Sequence, residues 1–142
     1  DYEKAKILAS GPSALFKESI IDLFINSTSF DSAEFRGNSL ILPLGKSLSS
    51  AELSRILDGA LKNNGAYGYN QILPAGAIES FFIDLYLKTK ESSVDAKSHW
   101  VSFIEALRKK DIDYDVLEGE MIKDYLIEAK PDEKDGVEVL PF

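Results

Sequence analysis

Apolar side chains recur every three or four residues along four separate segments of this chain, and that spacing constrains its fold more than any other feature. The period places such residues on one face of an α-helix. It predicts core helices over about 12–26, 50–63, 74–88 and 95–109. Just before the second helix, Ser49 and Glu52 have the spacing of a capping box, which predicts where that helix begins.

Shorter stretches between the helices have the composition of β-strands. Residues 39–44 form an apolar run with Pro43, which cannot donate to a ladder, so an edge strand or strand end is expected there. Alternation of apolar residues with aspartates predicts another short strand over 112–116. The stretch 66–73 is either a short strand or an aromatic loop, and residues 137–140 are a candidate last strand.

A C-terminal helix is also compatible with the sequence. Asp115 and Glu118 are spaced as a helix start, and the following apolar residues, Tyr125 among them, predict a buried stripe over about 116–129. Taken together, the segments predict an α+β fold. We expect a single helix-rich domain over 1–142, with four to five helices and a small sheet of two to four short strands.

The negative charge of the chain is concentrated near its C-terminus. With 16 Lys and Arg against 24 Asp and Glu, the net charge is −8. Residues 1–110 carry 13 acidic and 13 basic side chains, whereas residues 111–138 carry 11 acidic and 3 basic, so this acidic stretch holds the whole imbalance. Its field attracts a basic partner and repels phosphate backbones, so direct nucleic-acid binding is not expected.

We therefore expect the acidic stretch to bind a positively charged protein. The carboxylates expected to steer that partner are Asp111, Asp113, Asp115, Glu118 and Glu120. Acidic groups that face a basic partner raise the association rate and favour the correct orientation. Bacterial immunity proteins, which neutralise basic nuclease toxins, resemble this chain in size and charge. A non-enzymatic inhibitor or immunity-type protein is thus the predicted function.

Two tyrosines are candidate anchors for the same partner. Tyr67 and Tyr69 lie beside Asn70 and Gln71, in the most polar and aromatic window outside the predicted helices. Tyrosine suits an interface because it provides contact area at a low cost in conformational entropy. The alternative is that both tyrosines pack the gap between two helices.

The aspartates at 111, 113 and 115 also have the alternating spacing of the first ligands in an EF-hand loop. The sixth position of that loop is Val116 instead of the glycine needed for the sharp turn. The twelfth is Ile122 instead of a bidentate glutamate. We therefore favour a solvated outer face of a short strand and predict no cofactor.

A second motif favours a different function. Glu128 and Lys130 form Glu-x-Lys with Asp113 and Asp115 upstream, and this resembles the half-motif of the PD-(D/E)xK nucleases. The resemblance implies that an aspartate and Glu128 hold a divalent metal while Lys130 assists the attacking water. A metal-dependent hydrolase of nuclease type is therefore the alternative function.

Other chemistries are limited by the residue inventory. The chain has no cysteine and only one histidine, His99, which excludes thiolate zinc sites, cysteine nucleophiles and paired histidine ligands. A catalytic site built on His99 needs a nucleophile or carboxylate partner that the sequence does not locate. We accordingly predict no catalytic residue.

Membrane association is not expected. No apolar run approaches the ~20 residues needed to span a bilayer. The first residues, Asp1-Tyr-Glu-Lys-Ala-Lys, are charged and do not resemble an export signal. The sequence therefore predicts a soluble, cytoplasmic protein.

Overall fold

The computed structural model describes residues 14–26, 30–62, 78–93 and 95–129, and this part of the chain is helical. A π-helical turn, Gly37–Ile41, and a 3₁₀ helix, Leu42–Ser47, join the second α-helix to the third. The α-helices in chain order are α1 (Ala14–Ile25), α2 (Phe30–Arg36), α3 (Ser50–Lys62), α4 (Glu79–Thr89), α5 (Ala96–Lys109) and α6 (Asp115–Lys123). None of them is both long and apolar enough to cross a membrane.

The predicted α+β fold is wrong, because the described ranges contain helices and no strand. The edge strand expected over 39–44 is instead the end of the π-helical turn and the start of the 3₁₀ helix. Pro43 lies in the first turn of that helix, where its missing N–H leaves no hydrogen bond unmade. The apolar residues of this run are buried at helical spacing, as Leu40, Ile41 and Leu44.

The strand expected over 112–116 is also absent. Residues 112–114 connect α5 to α6, and Val116 already lies within α6. Ile112 and Tyr114 are buried, but Val116 is 59% exposed. A short extended connection alternates its side chains just as a strand does, so the pattern alone could not separate the two. The stretches 66–73 and 137–140 lie outside the described residues.

The helix α3 begins with the capping box expected from the sequence. The Ser49 hydroxyl accepts a hydrogen bond from the Glu52 N–H at 3.1 Å, and the Glu52 carboxylate accepts one from the Ser49 N–H at 2.8 Å. Glu52 also pairs with Lys17 of α1, at 3.6 Å. The sequence alone was sufficient to predict this cap, because both of its hydrogen bonds join residues within four consecutive positions.

The helices α5 and α6 end in the same way, with a non-glycine residue in the left-handed conformation. Asp111 has a φ of 59° and Tyr125 a φ of 62°. In each case the next N–H donates to the third-last carbonyl of the helix at 3.0 Å, from Ile112 to Leu107 and from Leu126 to Met121. This is the Schellman motif, whose left-handed position usually holds glycine because an L side chain is strained there by about 1–2 kcal/mol.

An aromatic core holds the helices together. Successive ring centroids lie 4.8–5.6 Å apart along a path through Phe24, Phe81, Phe82, Phe103 and Trp100. The path begins in α1, crosses α4 and ends in α5. Trp100, at the end of the path, is fully buried.

Gly37 allows close packing against this core. Gly37 begins the π-helical turn against the ring of Phe81, and a Cβ added there would lie 2.8 Å from two ring carbons. A rigid aromatic ring cannot give way as a flexible side chain would. Gly37 therefore sets how closely the connection after α2 approaches α4.

Candidate functional site

The five carboxylates predicted to bind a partner divide into two groups. Asp111 and Asp113 are exposed on the connection between α5 and α6, and Asp115 is exposed as the first residue of α6; we call residues 111–115 the acidic loop. Glu118 is only 5% exposed, and Glu120 pairs with Lys123 on the same helix at 3.3 Å. The acidic loop is therefore the part of this set that faces solvent most fully. Tyr67 and Tyr69 lie outside the described residues.

Glu118 is turned towards α5, where it meets Arg108. Its Oε1 accepts hydrogen bonds from Nε and Nη2 of Arg108, at 3.2 and 2.8 Å. The same Nη2 donates to the backbone carbonyl of Glu128 at 3.1 Å. Arg108 thus links α5 both to α6 and to the segment that follows α6. Glu118 therefore stabilises the fold beside the acidic loop.

The N-terminus of α6 is capped by a residue from another helix. One carboxylate oxygen of Glu79, in α4, accepts hydrogen bonds from the N–H groups of Val116 and Leu117, at 2.8 and 2.9 Å. A negative charge at this end of a helix is stabilising. Asp115, which the sequence predicts as the cap, is instead the first residue of the helix and remains exposed.

The C-terminal end of α6 is tied to α4 through Asp124. Its Oδ2 accepts hydrogen bonds from the hydroxyl of Tyr86 at 2.5 Å and from Nζ of Lys90 at 2.9 Å. The hydrogen bond from Tyr86 lowers the pKa of Asp124 below its ordinary value, and the hydrogen bond from Lys90 lowers it further. Burial is the largest cause that raises the pKa of the Tyr86 hydroxyl, and the hydrogen bond to Asp124 raises it further. The phenol therefore stays protonated and can donate this hydrogen bond.

Asp124 is expected to contribute to the acid sensitivity of the fold. Because its pKa is lower in the folded chain, it adds stability above its ordinary pKa of 3.8 and loses that contribution as the pH falls through the folded value. Asp124→Asn should lower the free energy of unfolding at neutral pH and make its decline below about pH 5 shallower. Urea denaturation over a pH series measures both effects.

Asp84→Asn is the matched control, since Asp84 is an exposed acid on α4. It should leave the acid limb of the stability profile close to that of the unsubstituted chain. Equal acid limbs for Asp124→Asn and the unsubstituted chain would count against a role of Asp124.

Tyr125 is the most exposed large hydrophobic residue in the described part of the chain, at 94%. The sequence predicts it on the buried stripe of a helix reaching residue 129, and this is wrong because α6 ends at Lys123. The left-handed turn at Tyr125 directs the chain back so that Leu126 and Ile127 pack against the core. No glycine marks this turn in the sequence, so no local signal could have revealed the exposed tyrosine.

The acidic loop and Tyr125 lie at opposite ends of α6. Its nine residues span about 13 Å. A partner that buries ~800 Å² on each side covers a patch roughly 30 Å across. One interface can therefore include both features, together with the exposed Val116 at the start of α6.

The residues of the nuclease half-motif do not form a metal centre in the described structure. Among the residues that the structure describes, no group of three or more His, Asp or Glu side chains is placed to hold a metal ion. Glu128 lies in irregular chain after α6, with its carbonyl bound to Arg108. Lys130 lies outside the described residues. The structure thus adds no observation in favour of the hydrolase.

His99 has a partner that sequence reasoning missed. Its Nε2 lies 2.8 Å from the hydroxyl oxygen of Ser50, across the contact between α5 and α3. A groove of about 240 Å³ opens beside His99 between the same two helices. Forty-nine residues separate Ser50 from His99, so only the packing of the helices brings them together.

Comparison with known proteins assigns no function to any of these residues. No family model, no curated protein and no solved structure matches this chain. Function is therefore argued from the geometry and charge of the described residues.

Proposed function

We propose that this chain is a small acidic protein-binding module whose binding surface combines the acidic loop with Tyr125. The exposure of Tyr125 supports this most, because a large aromatic side chain is held in solvent on a strained backbone. Strained residues cluster at functional sites, and tyrosine is enriched among the residues that dominate binding energy. Glycine would suit the turn better, so the tyrosine calls for a reason other than stability.

The charge around α6 supports a basic partner. Residues 111–129 contain seven acidic side chains and one lysine, a net charge of −6, which becomes −4 when Lys109 and Lys110 are included. Neither Asp111 nor Asp115 forms an ion pair with a described residue. The carboxylates of Asp111 and Asp115 are therefore available to steer a cationic protein at long range.

The proposed role is that of an inhibitor or immunity-type protein, which neutralises a basic partner such as a nuclease toxin by covering its cationic surface. The negative charge that attracts such a partner also disfavours direct contact with nucleic acid. A cytoplasmic location belongs to the same proposal and rests on the sequence alone.

Tyr125→Gly tests the proposal by separating stability from binding. The free energy of unfolding should rise by about 1 kcal/mol, because the left-handed strain at this position is relieved. Affinity for the partner should fall about 30-fold, the loss of a typical hot-spot residue. The partner is isolated by affinity capture from the source cell at low salt and identified by mass spectrometry. Its dissociation constant is then measured with the unsubstituted chain and with Tyr125→Gly.

A more stable variant that binds as tightly as the unsubstituted chain would remove Tyr125 from the binding surface. Capture of no basic protein by the unsubstituted chain would contradict the proposed function as a whole. Leu87→Ala provides a control, because Leu87 is an exposed apolar residue on α4 outside the proposed surface.

Association kinetics test the acidic loop separately. The triple variant Asp111→Asn, Asp113→Asn, Asp115→Asn should associate about tenfold more slowly at low salt, because long-range attraction is lost. Its association rate should also depend less on salt concentration than that of the unsubstituted chain. Stopped-flow mixing with the captured partner over a salt series measures both quantities.

Asp84→Asn serves again as the control for a change in net charge outside the loop. It should shift the association rate by much less than the triple variant. An identical salt dependence for the triple variant and the unsubstituted chain would exclude steering by the acidic loop.

A further inference from the structure

The contact between α3 and α5 places the only imidazole of the chain against a serine hydroxyl. Ser50 is the first residue of α3 and His99 the fourth of α5, and their Oγ and Nε2 atoms lie 2.8 Å apart. Both residues are half-buried, so the pair is partly shielded from water yet open to a small molecule. With Nε2 as the acceptor, this is the geometry in which an imidazole takes the proton of an attacking hydroxyl.

A groove beside the pair can hold a small apolar group. Its apolar lining includes Leu57, Leu61 and Phe103, and its polar lining includes Ser54 and His99. The volume of about 240 Å³ is below the ~300–1,000 Å³ typical of sites for drug-sized ligands. Ser54 lies one helical turn from Ser50, so a short acyl chain in the groove would have its carbonyl group near the pair.

Backbone donors for a developing negative charge are also close. Ser50 and Ala51 are in the first turn of α3, so their N–H groups have no carbonyl four residues earlier within the helix. The hydroxyl of the neighbouring Ser49 accepts its hydrogen bond from the N–H of Glu52, two residues beyond Ser50. Backbone N–H groups next to a reacting carbonyl stabilise the oxyanion that forms during acyl transfer.

We propose that Ser50 and His99 act as a nucleophile and general base that hydrolyse esters of short acyl chains. The Ser50 oxygen attacks the carbonyl carbon while its proton passes to Nε2 of His99. The bond to the leaving oxygen then breaks, and that oxygen takes the proton from His99 as the alcohol departs. Water attacks the acyl-Ser50 ester, gives its proton through His99 to the Ser50 oxygen, and releases the carboxylic acid.

This activity does not depend on the proposed protein-binding surface. The ester site lies between α3 and α5, whereas the acidic loop and Tyr125 flank α6. The Tyr125→Gly variant should accordingly hydrolyse esters at the rate of the unsubstituted chain.

The test uses p-nitrophenyl butyrate with the full chain, following the released nitrophenolate and the mass of the protein. The unsubstituted chain should show a transient butyryl adduct that peptide mapping assigns to Ser50. Ser50→Ala should abolish the adduct and lower the rate about 100-fold, the scale of a positioned acid–base group. His99→Gln should have a similar effect on the rate, because glutamine can still hydrogen-bond to Ser50 but cannot accept its proton at neutral pH.

Ser98→Ala is the matched control, because Ser98 is an exposed serine of α5, next to His99 in sequence, that does not line the groove. Its rate should equal that of the unsubstituted chain. Thermal melting of all variants separates chemistry from stability: His99→Gln should melt near the unsubstituted chain while losing the activity. Absence of a Ser50 adduct, or a hydrolysis rate unchanged by Ser50→Ala, overturns the proposal and leaves the pair as a structural link between two helices.

Discussion

Trp100→Ala is expected to lower the free energy of unfolding by about 4 kcal/mol, the largest effect of any substitution considered for this chain. Trp100 is fully buried, and its ring meets those of Tyr86 and Phe103 edge-on, with centroids 5.4 and 5.6 Å away. Its N–H donates to the hydroxyl of Thr89 at 2.9 Å. Removing the indole leaves a cavity between α4 and α5 and breaks this hydrogen bond between them.

Urea denaturation followed by far-ultraviolet circular dichroism measures this loss, since Trp100 is the only tryptophan and its removal abolishes the intrinsic probe. Thr89→Val is the matched comparison, because it keeps the packing and removes only the hydroxyl, which accepts from the indole N–H and donates to the Leu85 carbonyl at 2.8 Å. The buried indole N–H then stays unpaired, at a cost of about 1–3 kcal/mol. A Trp100→Ala loss no larger than ~1 kcal/mol, the average for any substitution, would contradict the central place of this residue.

Arg108→Met is expected to cost about 3 kcal/mol, because it leaves the buried carboxylate of Glu118 without its partner. The second carboxylate oxygen of Glu118 already has no hydrogen-bond partner among the described residues. The carbonyl of Glu128 loses its donor as well. The segment after α6, which includes Tyr125, should therefore exchange its amide hydrogens faster.

A double-mutant cycle isolates the pair from other effects. Adding Glu118→Met to Arg108→Met removes the unpaired charge, so the double variant should recover most of the lost stability. Denaturation of the three variants gives the coupling energy, and hydrogen exchange reports on the segment around Tyr125. Strictly additive losses would show that the two side chains do not stabilise each other.

Two sets of contacts hold the proposed binding surface in place. Arg108 holds α6 and the following segment against α5, and Asp124 holds the end of α6 against α4. These contacts fix the two ends of α6 at which the acidic loop and Tyr125 are presented. Acidic residues inside the predicted stretch thus serve two purposes: Glu118 and Asp124 bind the fold together, whereas the acidic loop faces solvent.

Where the decisive atoms are close in sequence, the sequence predicted the structure well. The spacing of apolar residues predicted α3 and α5 nearly to their ends, and Ser49 with Glu52 predicted the cap of α3. Counting charges located the excess of negative charge in residues 111–138 without any knowledge of the fold. Each of these properties depends on residues that are neighbours along the chain.

The errors arose where short apolar runs were assigned without knowledge of what they pack against. Residues 39–44 and 112–116 contain several apolar residues in few positions, and such runs fit either a strand or a helical turn. Packing against the aromatic core selected a π-helical turn and a 3₁₀ helix for the first run, and a connection followed by the start of α6 for the second.

The sequence by itself determined the four longest helices, the concentration of negative charge and the chemistries that the residue inventory excludes, because these depend on local spacing and composition. Only the tertiary structure decided which acids are exposed, that Glu79 caps α6, that Tyr125 projects into solvent and that Ser50 meets His99. Those features depend on contacts between residues 10 to 49 positions apart, or on a left-handed turn without glycine. Their energies arise only when the helices pack.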